Sequence, residues 1–456
     1  MFLFLVSLCI CRANDQKPLI TQGLVDKINN NPNSTFKAKL YPQFAQMTIG
    51  EAKRFLSPVR KTPINHGSAH PVGANERLFD IYDKRVFAGL TNPDYSDQFD
   101  SSNKYKYQVY NNIDFCSSWA SSVTSAMSLA LSIHTRKFIN LSIQFILDCD
   151  LMGDPCIERP PLNAYEQFWK RFIPQAERWD QPELKDGKPH FLRAPPNELT
   201  KETCDSQSST QCYPGWTNCP RNRVLSGSCD ATSESNCPIY FLYNWRWIKS
   251  HIWEVGPVTS SILVRPAFFT YSSGVYSSLG ERASTGDVSD EEDENVFNSE
   301  ILGMLDVTII GWGQVAINLS TKATLHQQLR TRWWYVVPHF GYEWGCTCSE
   351  VFGVPKKLGD SGNVPHNYAN DDTSDQETSE YSDLTSIVDR CASGSSSTLT
   401  GIVRFNRRFD DSNIESQAVG AVPFNFRPKA YRTPQATWSG YHAAEVEKDA
   451  AGAKKL

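Results

Sequence analysis

Asn112-Ile113-Asp114-Phe115-Cys116-Ser117-Ser118-Trp119-Ala120-Ser121-Ser122 leads into a stretch where Trp119, Ala120, Val123, Ala126, Met127, Ala130 and His134 recur at steps of three and four. That spacing predicts a helix with one face in the core. Serine at a helix start ordinarily accepts a hydrogen bond from a free backbone N–H, a role open to Ser117 or Ser118. A thiol at the same place would be acidified by the helix dipole and a neighbouring imidazolium. A serine hydroxyl keeps its proton unless a base takes it, so Ser118 alone is a weak nucleophile.

The chain has 456 residues, 40% hydrophobic and 12% aromatic, enough for a substantial core in one large or two ordinary domains. A formal charge of -5, with no basic tract, argues against nucleic acid as a partner. After Met1 the run Phe-Leu-Phe-Leu-Val-Ser-Leu-Cys-Ile-Cys-Arg-Ala reads as a secretory signal over residues 1–13, with Cys11 and Ala13 at the small-residue cleavage positions. No later stretch has the roughly 18 unbroken apolar residues of a membrane span.

Removing Cys9 and Cys11 leaves an odd number of cysteines, of which Cys204, Cys212, Cys219, Cys229 and Cys237 crowd one segment. In a secreted chain such a cluster predicts disulfides. Their spacing supplies neither Cys-x-x-Cys pairs nor nearby histidines, so no metal is expected. The acidic loop Asp287 to Glu300 has no calcium-loop spacing and reads as a solvated surface.

Other landmarks give the tryptophan stretch a context. Leu24-Val25-Asp26-Lys27-Ile28-Asn29-Asn30 is followed by Phe36-Lys37-Ala38 and by Met47-Thr48-Ile49-Gly50-Glu51-Ala52-Lys53-Arg54-Phe55-Leu56. Further on come Leu141-Ser142-Ile143-Gln144-Phe145-Ile146-Leu147-Asp148-Cys149, Gly256-Pro257-Val258, Tyr271-Ser272-Ser273-Gly274-Val275-Tyr276, Gly311-Trp312-Gly313, and Trp334-Tyr335-Val336-Val337 with Trp344-Gly345. In this order they resemble the papain family of cysteine peptidases, in its cathepsin B-like branch.

The resemblance implies an α+β, papain-like fold of two lobes, one helical and one a β-barrel. It divides the chain into a propeptide and connector at 14–77 and a peptidase domain at 78–356, the lobes meeting near residue 250. Pro58 to Glu76 would be the cleavable connector. Residues 357–456, rich in Ser, Asp, Asn and Gly, read as a mostly disordered tail with an ordered patch around Ile402 to Phe409.

The family's functional positions carry other residues here. Ser118, directly before Trp119, stands for the nucleophilic cysteine. Leu305, six residues before Gly311, stands for the catalytic histidine. Pro338 stands for the asparagine that orients it, and Asn112 for the oxyanion glutamine. His339, next to the asparagine position, would point to the opposite face of an extended strand and so is not expected to serve as base. Ile157-Glu158-Arg159-Pro160-Pro161 replaces the glycine shelf on which substrate backbone lies. The framework cysteines imply a Cys116–Cys156 bridge, allowing one residue of slippage in the loop, and a partner for Cys149 within the 204–237 cluster.

These substitutions together resemble a catalytically degenerate member, comparable to tubulointerstitial nephritis antigen-like proteins. The expectation is a secreted or vesicular homologue, extracellular or lysosome-like, that binds an unknown protein or peptide ligand without cofactor. The alternative is an active cysteine-type endopeptidase with a shifted or atypical motif, in which a one-residue deletion makes Cys116 the family's structural cysteine or its nucleophile. It lacks a histidine between His251 and His326, where the strand before Gly311 would need one.

Overall fold

A computed structural model describes residues 15–59 (without Asn33), 70–71, 117–135, 139–150, 160–179, 183–185, 188–190, 204–205, 221–225, 238–242, 245, 248, 251–252, 255–278, 301–314, 332–348 (without Tyr342), 399–407 and 411–424. The helices are α1 (Gln22–Asn30), α2 (Pro42–Ala45), α3 (Ile49–Arg54), α4 (Ser118–Thr135), α5 (Ile143–Asp148), α6 (Pro161–Lys170) and α7 (Ala176–Trp179). The strands are β1 (Phe36–Ala38), β2 (His70–Pro71), β3 (Ile173–Pro174), β4 (Glu183–Lys185), β5 (Lys188–His190), β6 (Arg221–Asn222), β7 (Ile239–Phe241), β8 (Val258–Val264), β9 (Tyr271–Gly274), β10 (Gly303–Gln314), β11 (Arg332–Val337), β12 (Cys346–Cys348), β13 (Leu399–Asn406) and β14 (Val419–Ala421).

Local chemistry explains where the N-terminal helices begin. The Thr21 side chain accepts from the Leu24 amide at 3.2 Å to start α1. At α3, Thr48 and Glu51 cap each other: the Glu51 amide donates to the Thr48 hydroxyl (3.2 Å) and the Thr48 amide to the Glu51 carboxylate (2.7 Å). The hydrogen bond from that amide holds the Glu51 carboxyl below its ordinary pKa.

The long helix α4 is buried on all sides from Ser118 to Ser132 despite its many serines. It tolerates them because hydroxyls bond back to carbonyls one turn earlier, Ser121 to Ser118 (3.3 Å), Ser122 to Trp119 (3.4 Å) and Ser132 to Ser128 (2.7 Å). Ser128 and Ser132 in addition accept the amides of Leu141 and Ile139, at 3.0 and 2.9 Å.

Eight strands form the main sheet in the order β12-β13-β11-β10-β8-β14-β7-β2. The buried apolar residues form two clusters. One combines the sheet residues with Ile28, Phe36, Phe44 and Phe55 of the N-terminal segment. The other gathers one face of α4 with α5, α6 and Trp179.

The expected division between domain and tail is corrected at its C-terminal end. β13 sits between β12 and β11, pairing Trp334 with Phe405 and Cys346 with Ile402, and β14 pairs with both β7 and β8. β13 and β14 are therefore integral to the sheet, and the strands do not end at 356. The physical reason is edge satisfaction: without β13 the ladder groups on one side of β11 would be buried without partners. Residues 349–398 and 425–456, like residues 1–14 with the expected signal segment 1–13, lie outside the described residues.

Candidate functional site

The start of α4 forms one wall of the site. The Ser117 carbonyl accepts the amides of Ala120 (3.0 Å) and Ser121 (2.9 Å), which makes Ser117 the cap and Ser118 the first helical residue. Both are buried. The first-turn amides there carry the positive end of the helix dipole, favourable to an anion but unable to remove a hydroxyl proton.

The second wall is β10. Leu305, Val307 and Ile309 belong to the core of the sheet, and Leu305 is 0% exposed. The alternate positions carry polar groups: buried Asp306 accepts from the Ser261 hydroxyl, and the Thr308 hydroxyl donates to the Ser122 carbonyl at 3.0 Å. Thr308 thus meets α4 about 6 Å, roughly one turn, from Ser118.

Pro338 is buried just beyond the end of β11 and carries no side-chain donor or acceptor. The expected direction of His339 is corrected here. β11 ends at Val337 and His339 has φ 60, a left-handed conformation, so strand alternation does not govern its side chain. Its ring turns inward, with Nε2 3.0 Å from the Thr308 hydroxyl. That hydroxyl already donates to Ser122, so the imidazole donates N–H to Thr308 rather than taking a proton from it. Burial lowers the His339 pKa to about 3, keeping the ring neutral. Among the described residues a second imidazole, His251, is buried, with Nδ1 3.1 Å from the carbonyl of Gly256. Gly256 packs on Ala130, about 18 Å along α4 from Ser118, so His251 is remote from the helix start.

The N-terminal segment crosses this wall. Ser57 and Met304 exchange backbone hydrogen bonds, Ser57 N to Met304 O at 2.9 Å and Met304 N to Ser57 O at 2.8 Å, one residue from Leu305. A side chain at Gly303 would come within 2.8 Å of Leu56 and of the Ser57 carbonyl, so glycine is required for that approach. Phe44 and Phe55 pack on Phe269 and Phe340, with Phe44 centroids 5.0 and 5.2 Å away. Further along, β1 pairs antiparallel with β9. The Tyr41 hydroxyl donates to the Tyr271 carbonyl (2.9 Å) and accepts the Gly345 amide (3.1 Å). Gly303, two residues before Leu305, and Phe55, just after the third helical pattern, were the available signals in the sequence.

Of the cysteines, Cys149 is bonded to Cys204 across a sequence separation of 55. The neighbouring carboxylate, Asp148, is held by Gln144 Nε2 (2.6 Å) and Trp179 Nε1 (2.9 Å). Asn112, Cys116, Cys156, Cys212, Cys219, Cys229, Cys237 and shelf residues Ile157 to Arg159 lie outside the described residues. Pro160 and Pro161 open α6, with Pro161 in the first turn where a missing N–H is harmless. Among the described residues no cluster of His, Cys, Asp and Glu could hold a metal ion, and no helix is long and apolar enough to cross a membrane.

Comparison with known proteins agrees with this architecture. The family model described as papain family cysteine protease matches residues 95–348. Its match ends at Cys348, the last residue of β12, so β13 and β14 lie beyond it. Among solved structures, procathepsin B S9 from Trypanosoma congolense is 16% identical, with a TM-score of 0.53 over 89% of this chain and 99% of that one. Procathepsin L 3 of the Tenebrio molitor larval midgut is 14% identical, with a TM-score of 0.45 over 89% of this chain and 90% of that one. The ragweed pollen allergen Amb a 11, a cysteine protease in its proform, is 16% identical, with a TM-score of 0.47 over 89% and 88%. At 16% identity, the likeness to the first concerns the fold.

Proposed function

The chain belongs to the papain family of cysteine proteases, and on that premise we propose that it is a catalytically inactive member acting as a binding or structural protein in the secretory pathway. The observation that carries the reading is Leu305, buried in the apolar core at the position where the family places its imidazole. A leucine neither accepts a proton nor stabilises a thiolate, and both are needed for acyl transfer from a cysteine. Ser118 at the helix start and Pro338 at the orienting position support the same conclusion. His339 does not substitute, because its hydrogen bond to Thr308 and its burial leave it a neutral donor.

On this reading residues 14–77 are a prosegment and connector, and the ligand is a protein or peptide bound without metal or cofactor. Purified protein cut in the connector should neither hydrolyse a Phe-Arg reporter peptide nor take up an epoxide cysteine-protease probe. Reporter turnover that disappears on Cys116→Ala would overturn the proposal and establish the shifted-motif peptidase in its place.

A further inference from the structure

We infer that Asn140 is a site of N-linked glycosylation, on the stretch between α4 and α5 and remote from the altered helix start. The inference rests on the secretory location proposed above and adds a covalent modification to it. Asn140-Leu141-Ser142 has the Asn-x-Ser form read by the oligosaccharyl transferase of the secretory pathway, with leucine rather than proline in the middle. Asn33-Ser34-Thr35 and Asn318-Leu319-Ser320 share that form, but Asn33 and residues 318–320 lie outside the described residues.

The fold treats the two ends of the triplet differently. Asn140 is half-buried, whereas Leu141 and Ser142 are 0% exposed. Main-chain groups fix the triplet in place: the Ala176 amide donates to the Asn140 carbonyl (2.9 Å), the Leu141 amide to the Ser128 hydroxyl (3.0 Å) and the Ser142 amide to the Pro174 carbonyl (3.0 Å). These bonds do not involve the Asn140 side chain. The Ser142 hydroxyl receives the Phe145 amide at 2.8 Å and so caps α5. A transferase that reads this hydroxyl reaches it only before α5 forms, so transfer takes place on the chain during synthesis. The finished fold must then leave room for the sugar. A half-exposed Asn140 meets that condition, and a side chain as buried as Leu141 would not.

The donor is an oligosaccharide carried on a polyisoprenol diphosphate. Nδ2 of Asn140 attacks C1 of the first sugar, and an N–C1 bond forms as the bond from C1 to the phosphate oxygen breaks. The lipid diphosphate leaves with that electron pair, and Nδ2 gives up one proton to a base of the transferase. One N–H and the carbonyl oxygen remain on the side chain, so it keeps a donor and an acceptor for its neighbours. Ser128, which holds the Leu141 amide, lies about 15 Å along α4 from Ser118. The sugar is therefore rooted away from the altered site, and a partner that binds there does not have to displace it.

The experiment expresses the full chain in a eukaryotic secretory host. Peptide N-glycosidase hydrolyses the glycosylated amide, so digestion of the denatured, reduced protein in water enriched in heavy oxygen should leave labelled aspartate at position 140, read by mass spectrometry of the tryptic peptide that begins at Phe138. Asn140→Gln should lose one sugar-dependent step in gel mobility, while Ser142→Thr, which keeps both the cap and the hydroxyl that the transferase reads, should retain it. Unmodified Asn140 in the secreted protein overturns the inference, as does an Asn140→Gln variant that carries as many sugars as the wild type. Where that variant is not secreted, the wild-type digest decides alone. Sugar at Asn33 or Asn318 with none at Asn140 defeats only this site, whereas a chain kept in the cytosol with no sugar at any of the three defeats the secretory reading and this inference with it.

Discussion

At the scale of single residues, the proposed inactivity rests on Ser118, Leu305 and Pro338 standing where a nucleophile, a base and its orienting amide would be needed. Ser118→Cys restores a thiol at a helix N-terminus, but a thiolate also needs an imidazolium that Leu305 cannot supply. We predict that Ser118→Cys stays inactive on a Phe-Arg reporter. Adding Leu305→His should leave activity far below that of an ordinary cathepsin and should lower stability by about 2 kcal/mol or more, because the new ring enters an apolar core. Full reporter hydrolysis by the double variant would show that the rest of the site is competent.

His339 makes a prediction in pH. Its folded-state pKa is about 3, below the roughly 6.5 of an unfolded histidine. The unfolded chain therefore binds a proton first, and stability falls as pH drops from about 6.5 toward 3. At pH 5 the loss from this group is about 2 kcal/mol relative to pH 7. His339→Asn, which tolerates the left-handed backbone, should remove that part of the slope. Urea unfolding at the two pH values measures it, and an unchanged slope in the variant would contradict the assignment.

At the scale of elements, caps and cross-links decide which pieces hold their position. Thr48→Ala removes the hydroxyl that receives the Glu51 amide, and the expected cost is about 1 kcal/mol in urea unfolding. The Cys149–Cys204 bond closes a long stretch of chain, with a sequence separation of 55. Cys149→Ala with Cys204→Ala should lower stability by on the order of 4 kcal/mol on the loop-entropy account. A loss below about 1 kcal/mol would mean that Arg171, which joins the Cys149 carbonyl at 2.6 Å to Asp205 at 2.7 Å, already holds these segments together.

For the whole molecule, the sheet requires strands from both sides of the stretch 349–398. Cys346 pairs with Ile402 and Cys348 with Leu399, so the two ends of that stretch are neighbours. Replacing residues 350–397 with a short Gly/Ser linker should leave a folded protein, since closing a loop of either length differs little in entropy. Truncation after residue 356 should not fold, because it removes β13 and β14 and leaves β11 and β8 each short of a partner. Soluble expression with a cooperative melt distinguishes the two; a cooperatively folded truncation would restore the shorter domain boundary.

What the amino-acid order determined by itself was local: the apolar spacing that makes α4 a helix, the serine and threonine caps, and the landmark residues that place the chain in its family. Such features act over a few neighbours and survive in any reading of the string. The tertiary structure alone decided that the expected ordered patch near Ile402 and the run Val419 to Ala421 are interior strands, since a short apolar run acquires its identity from the strands beside it. It also decided the direction of His339, through one left-handed residue that ends strand alternation. The docking of Leu56 and Ser57 against Gly303 and Met304 depends on contacts across nearly 250 positions, a distance over which no sequence pattern carries phase.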